Sequence, residues 1–145
     1  MFSFVTKLLG YFKMKNDKDI VLTRAEEDVM QILWKIEKGV VKDILEHFPN
    51  PKPAYNTVST IVRILESKGF IGHKAYGKSH EYFPLITKDE YTSSYFRNFL
   101  QKHFNNSFQK MGSFFAKSDD LDMKDLEETL KIMQQEVENQ KQKKS

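Results

Sequence analysis

The chain has 145 residues, 39% hydrophobic and 30% charged, with a net charge of +3. That composition suits one domain or two small ones and excludes a disordered or fibrous chain. There is no cysteine, which removes disulfides, thiolate metal sites and cysteine nucleophiles and fits a reducing, cytoplasmic setting.

Residues 1–18 open on MFSFVTKLLGYFKMK, a mixture of apolar and basic residues. Its apolar run is too short to span a bilayer and lacks a signal-peptide cleavage pattern, so no membrane insertion is expected. Two readings stand for it: a weak membrane-surface helix or, favoured, a disordered extension upstream of a true start at Met14. Thr23 and Glu26 have the spacing of a capping box. Val29, Ile32, Leu33 and Ile36 then follow at helical spacing, and Gly39 is expected to end this first helix. Residues 40–48 predict a second helix, with Val41, Ile44, Leu45 and Phe48 inward. Pro49, Pro51 and Pro53 forbid helix and force a stiff turn. The third helix follows in PAYNTVSTIVRILESKGFI, closed by Gly69. After it the apolar period shortens toward two, and a β-hairpin is predicted over about 70–75 and 80–85 with its turn at Tyr76–Ser79. Three short helices and a hairpin give a winged helix-turn-helix over 19–86.

The second half reads as a separate helical domain over 87–140. Thr87 and Glu90 repeat the capping-box spacing, and Tyr91, Tyr95, Phe96, Phe99 and Leu100 line one side of the helix that follows. A shorter helix over 106–117 holds Phe108, Met111, Phe114 and Phe115. SDDLD breaks the chain at 118–122, and a last helix carries Met123, Leu126, Leu130, Met133 and Val137 at coiled-coil spacing. Residues 141–145 read as a polar, frayed tail. The fold class is thus mainly α, a winged helix followed by three helices. Three thin helices cannot bury so many aromatics alone, which points to a dimer face of Tyr91, Tyr95, Phe99, Phe114, Leu126, Leu130, Met133 and Val137. The competing arrangement is a monomer with these helices folded onto the winged domain.

The third helix separates two faces. Ala54, Val58, Ile61, Val62 and Leu65 share one, and Asn56, Ser59, Thr60, Arg63 and Ser67 the other. A solvated face would carry mixed Lys and Glu. This one carries short hydrogen-bonding side chains, with Glu66 at its flank. Between residues 50 and 80 the bases Lys52, Arg63, Lys68, Lys74 and Lys78 face the single acid Glu66. The rest of the winged region has eight acids against Arg24, Lys35, Lys38 and Lys42. Such polarisation is the footprint of phosphate contact. Asn56 can read adenine, Arg63 guanine or phosphate, and Ser59 and Thr60 phosphates. Lys52, Tyr55, Lys74, Tyr76 and Lys78 are expected along the DNA backbone or minor groove. His47, His73, His80 and His103 form no close ligand pair, and no phosphate loop or nucleophile elbow occurs. Nothing supports catalysis, so no catalytic residue, cofactor or metal site is expected.

LTRAEEDVMQILW, VKDIL, YNTVSTIVRILESKGFI and YGKSHEYFPL together resemble the BlaI/MecI/CopY family of bacterial transcriptional repressors, over about 22–137. The likeness is nearer to the cysteine-free BlaI/MecI branch, since the copper-responsive branch uses a cysteine cluster. The resemblance implies a homodimer on palindromic double-stranded operator DNA, controlling antibiotic-resistance or metal-handling genes. By position, Asn56, Thr57 and Thr60 match helix sites that face DNA in the family, and Lys78 a basic wing-tip site. The family often has Arg where this chain has Ile64, and here Arg63 lies one residue earlier. The family's switch by cleavage, triggered by a membrane-bound sensor-peptidase or a downstream protease, maps to Ser113-Phe114, where Ser stands in place of the family's Asn. Two alternatives remain open: a winged-helix regulator released by a small-molecule ligand, and a winged-helix module that binds protein.

Overall fold

The computed structural model describes residues 22–144. The expected extension over 1–18 and the final residue of the tail lie outside the described residues. Two units are distinguishable, one running through Arg97 and one beginning at Asn98.

The first unit starts with α1 (Arg24–Ile36). Its capping box is complete: the Thr23 hydroxyl accepts from the Glu26 N–H at 3.2 Å, and the Thr23 N–H donates to Glu26 Oε1 at 3.1 Å. Both orphan donors of the first turn are thereby satisfied. The helix ends earlier than the sequence suggests. Glu37, with φ 72°, takes the left-handed position expected of Gly39. Gly39 instead bridges to the hairpin, exchanging backbone hydrogen bonds of 2.9 and 2.8 Å with Tyr82. A Cβ at Gly39 would lie 3.0 Å from Ile36 Cδ1 and 3.1 Å from Asp43 Cβ. Its lack of a side chain therefore serves a close approach of the backbone and not a helix stop.

Next come α2 (Val41–Glu46) and α3 (Tyr55–Ser67). The segment between them holds the prolines and includes a cis Asn50–Pro51 bond. At the end of α2 the Lys52 ammonium donates to the carbonyls of Glu46 at 2.9 Å and Phe48 at 2.7 Å. A cation there satisfies orphan acceptors and opposes the negative end of the helix. The hairpin is β1 (Ile71–Tyr76) and β2 (Ser79–Pro84), antiparallel with Tyr76 opposite Ser79. Only Gly77 and Lys78 form its loop, two residues fewer than the sequence suggests. Gly77 takes φ 60°, the first-position glycine of a II′ turn.

One core holds these elements. Val29, Met30 and Leu33 of α1, Ile44 of α2, Val58, Val62 and Leu65 of α3, and Ile71 and Ile86 are all fully buried. Each such side chain contributes about 1.5–3 kcal/mol by leaving water. One buried charge crosses this core's edge. Glu26 takes the Lys68 ammonium, just past the end of α3, at 2.7 Å. Burial pushes the Glu26 carboxyl up, but Lys68 and the two Thr23 hydrogen bonds outweigh it and hold the group below the usual carboxylate value.

Helix α4 (Lys88–Phe104) begins in the first unit. Its Tyr91, 4% exposed, lies 5.5 Å from the Trp34 ring and 6.2 Å from Phe70. The Tyr91 hydroxyl donates to Glu27 Oε2 at 3.3 Å, and Trp34 Nε1 donates to the Ile86 carbonyl at 2.8 Å. Burial first, and the neighbouring Glu27 charge second, push the Tyr91 phenol up to about 12.

The second unit continues α4 and adds α5 (Phe108–Ala116) and α6 (Met123–Lys144). Asn105 and Asn106 turn the chain with φ of 55° and 65°, a conformation asparagine tolerates better than most residues. Ser107 then caps α5, accepting from the Lys110 N–H at 3.1 Å. Where the sequence reads as a polar tail, α6 runs on to Lys144. Lys141, Lys143 and Lys144 suit the negative end of its dipole.

Two stability measurements follow from these contacts. Lys68→Met should cost about 1–3 kcal/mol at neutral pH, because it strands a buried carboxylate whose partner was partly solvated. Glu26 is held below its unfolded value, so this contribution is present above the ordinary carboxylate range and disappears as pH falls through the folded value. Urea unfolding of both proteins from neutral to acid pH should show the gap closing. Tyr91 is shifted the other way, so its contribution is present below about pH 10 and is lost as pH rises toward 12. Tyr91→Phe should cost roughly 0.5–1.5 kcal/mol at neutral pH and lack that alkaline loss.

Candidate nucleic-acid interface

The two faces of α3 are divided as the sequence suggests, except that Ala54, expected inward, is the exposed N-cap. Val58, Val62 and Leu65 are buried, while Asn56, Thr57, Thr60 and Arg63 are exposed and Ser59 half-buried. The helix therefore offers solvent a row of amide, hydroxyl and guanidinium groups. Two of these are pre-oriented along the helix. The Thr60 hydroxyl donates to the Asn56 carbonyl at 2.9 Å, and an Arg63 guanidinium N–H donates to Ser59 Oγ at 3.4 Å. Thr60 thus keeps its methyl group and an acceptor lone pair for a ligand. Tyr55 stands at the first position of α3, about half exposed.

The hairpin adds cations. Lys74 lies with its ammonium 5.4 Å from the centre of the Tyr76 ring, a cation–π contact that straightens both side chains along the strand. Lys78 is exposed at the tip of the loop. So the structure places Asn56, Thr57, Ser59, Thr60 and Arg63 on one helix, and Lys74, Tyr76 and Lys78 on the wing that follows it.

Two of the five bases counted from the sequence are engaged elsewhere. Lys52 caps α2, and Lys68 neutralises Glu26. Lys52 stays charged and exposed with its ammonium held by carbonyls, and Arg63, Lys74 and Lys78 supply the other surface cations of the segment. Glu66, the one acid of the segment, meets Nδ1 of His73 on β1. His73 in turn stacks on His80, with ring centroids 4.3 Å apart and planes within 9°. Neither the Glu26–Lys68 nor the Glu66–His73 pair is legible by spacing. The first spans 42 residues of chain, and the second depends on how β1 leaves the end of α3.

Of the residues expected at a dimer face, Tyr91 is enclosed in the first unit and has no ring surface left for a second chain. Tyr95, Phe114, Leu130, Met133 and Val137 are exposed, and Leu126 and Phe99 half-buried. Phe104, Phe114 and Phe115 form an aromatic cluster, with centroids 5.5–6.2 Å apart. Ser113 and Phe114 lie within α5, and Phe114 is 59% exposed. Among the described residues no helix is long and apolar enough to cross a membrane.

The chain is similar in sequence to several known proteins. The methicillin resistance regulatory protein MecI of Staphylococcus aureus strain N315 is 26% identical over 119 residues, 81% of this chain and 97% of that protein. The penicillinase repressor of Bacillus licheniformis is 22% identical over 121 residues, 83% of this chain and 94% of that protein. Among solved structures, the monomeric form of Bacillus licheniformis BlaI in complex with the blaP half-operator matches with a TM-score of 0.41 and 22% identity, covering 48% of this chain and 87% of that one. The family model described as penicillinase repressor spans residues 22–135, from the residue before the first capping box to the middle of α6, and the chain belongs to that family.

Proposed function

We propose that this chain is a sequence-specific DNA-binding repressor of transcription, not an enzyme, acting in the cytoplasm as a homodimer on a palindromic operator. The observation that carries the reading is the outward face of α3. It holds short donor–acceptor side chains and one guanidinium, beside a wing whose cations are directed to solvent. A major groove admits one α-helix and rewards these groups, with Asn56 suited to adenine and Arg63 to guanine or phosphate. Tyr55, Thr57, Ser59, Thr60, Lys74, Tyr76 and Lys78 supply backbone and groove contacts around them. Lys52 is reassigned to holding α2, which shapes the approach to α3. Membership of a repressor family, and relatives named for methicillin-resistance regulation and penicillinase repression, support an antibiotic-resistance target.

The sequence-based limits of 19–86 and 87–140 shift in this proposal, with reader and dimeriser dividing near Arg97, because the start of α4 packs in the first unit. Leu126, Leu130, Met133 and Val137 make the seam, with Tyr95, Phe99 and Phe114 beside it. Joining two weak half-site readers raises their effective concentration, so losing the joint lowers occupancy by orders of magnitude. A cut at Ser113-Phe114 by a downstream protease, under a membrane sensor-peptidase, would detach α6 and leave the reader intact. Because Phe114 would be covered in the dimer and the bond lies within α5, cutting there requires local opening or a bound protease. A second reading, release by a small ligand, has one observation in its favour. An open cleft of about 540 Å³ is lined by Gln31, Ile32, Trp34, Lys35, His47 and Lys88, an aromatic wall with a cationic rim suited to a small anion.

Selection from a random duplex pool should enrich a palindrome, with affinity falling steeply as salt rises. Against it, Asn56→Ala should cost roughly 1–3 kcal/mol at one base position, whereas Lys78→Ala should weaken all sequences alike. Equal affinity for scrambled duplexes at every salt concentration would refute sequence-specific repression. For the assembly, Leu126→Asp with Leu130→Asp places two charges in the apolar stripe, where desolvation is costly. Sedimentation should show the wild type as a dimer and the double variant as a monomer that has lost the palindrome. Mass spectrometry of the protein from induced cells then separates the two release routes, as a fragment ending at Ser113 or as an intact chain freed from DNA.

A further inference from the structure

The pair Glu66–His73 lies where α3 hands over to the wing. His73 is on the face of the hairpin turned toward α3, opposite Tyr82 on β2 and stacked on His80. Glu66 is the only acid between residues 50 and 80, at the flank of the polar face of α3. Both side chains of the pair are about one-third exposed, so solvent and a bound polyanion can each reach them.

We propose that His73 is a positioning residue whose proton sets DNA affinity. When charged it cancels Glu66 and braces the wing against α3, and when neutral it leaves an uncancelled acid beside the phosphate backbone. This rests on the DNA-binding reading above. The geometry supports a change of charge more than a loss of contact. A neutral imidazole with its proton on Nδ1 still donates to the carboxylate, but a charge-assisted bond is roughly twice as strong. What vanishes on deprotonation is the positive charge.

The other ionisable groups around His73 narrow the source of that proton. From α3 these are Glu66 and Arg63. From β2 they are His80 and Tyr82. Arg63 stays charged throughout. Tyr82 is pushed up, by burial first and by the Glu66 charge second, so it stays neutral. His80 stacks in parallel on His73 with centroids 4.3 Å apart. Two imidazoliums in that arrangement would repel, so the stack favours one proton. Of the two rings, His73 is the one that touches the carboxylate. Imidazole is the side chain whose charge changes between about pH 5 and 8. Duplex DNA is a polyanion and favours the protonated ring, so binding takes up protons, at most one per wing.

The test is fluorescence anisotropy of the full chain with a mixed-sequence duplex and with the duplex enriched by selection, at constant low salt, between about pH 5 and 8. Wild-type affinity should fall as pH rises, by up to roughly tenfold per pH unit for each wing that takes up a proton. His73→Gln should bind weakly and flatten that profile. His73→Arg, which keeps a cation on Glu66 at every pH, should be flat and retain high affinity at the alkaline end. His80→Gln should keep the wild-type slope. Binding with the same affinity at every pH in the wild type would overturn this inference and leave DNA binding standing. A slope lost in His80→Gln but kept in His73→Gln would overturn it too, by moving the charge to the other ring. Absence of binding at every pH would overturn the DNA-binding reading and this inference with it.

Discussion

A single buried carboxylate ties the ends of two helices together. Glu26 accepts from the Thr23 backbone at the start of α1 and from the Lys68 ammonium just beyond the end of α3. Each bond alone is ordinary. Together they fix the axial position of α3 against α1, because a carboxylate at 4% exposure cannot release a partner without being left charged in an apolar setting. The interlocked apolar side chains of α3 resist small shifts against α1, and the ion pair adds a cost to any movement that would part Glu26 from Lys68. The polar face of α3 is therefore presented at a defined height, which a reader of base edges needs.

The wing depends on the same fixed frame. β1 begins at Ile71, soon after the end of α3, and the hairpin is clamped from the other side by the Gly39–Tyr82 backbone pair. At Gly39 a side chain would press against Ile36 and Asp43. Between these two anchors, Tyr82 is buried while Lys74, Tyr76 and Lys78 remain outside. The arrangement sorts charge by function. Cations needed to hold the fold, Lys52 and Lys68, point at carbonyls and a buried acid. Cations left for a partner stand on the helix face and at the tip of the hairpin.

Much of this was legible in the sequence, and the misses share one cause. Periodicity is local, so α1, α3, the hairpin and the inward set Val58, Val62 and Leu65 follow from spacing alone. The Thr23–Glu26 box is equally local. Pairings across the chain have no such signature. Lys68 and Lys52 count as surface cations in a linear tally, and only the fold shows that Lys68 is neutralised by Glu26 and that the Lys52 ammonium is held at the end of α2. Tyr91 belongs by spacing to an aromatic stripe with Tyr95 and Phe99, yet its ring turns into the first unit because Trp34 and Phe70 leave a slot there and Glu27 offers an acceptor. Gly39 departs from its expected role for a related reason. A glycine after a helix usually serves a positive φ, and here Glu37 takes that conformation while Gly39 serves a strand contact.

The second unit carries the opposite balance of local and distant contacts. Helix α6 is 22 residues long, about 33 Å at the usual rise, and none of its side chains is buried. Leu130 is 59% and Val137 50% exposed. Water gives such a stripe nothing, and most helical stability in proteins comes from packing an apolar face. The helix has compensations, with Asp125 in its first turn and lysines in its last, but these are worth tenths of a kcal/mol each. A self-complementary partner surface would cover the stripe at the cost of one symmetric contact. The consequence for control follows from where the stripe sits. It lies beyond the aromatic cluster of Phe104, Phe114 and Phe115, in a unit separate from the α3 face. On the proposed reading, the strength of a dimer formed through this stripe can change without disturbing the core that positions α3.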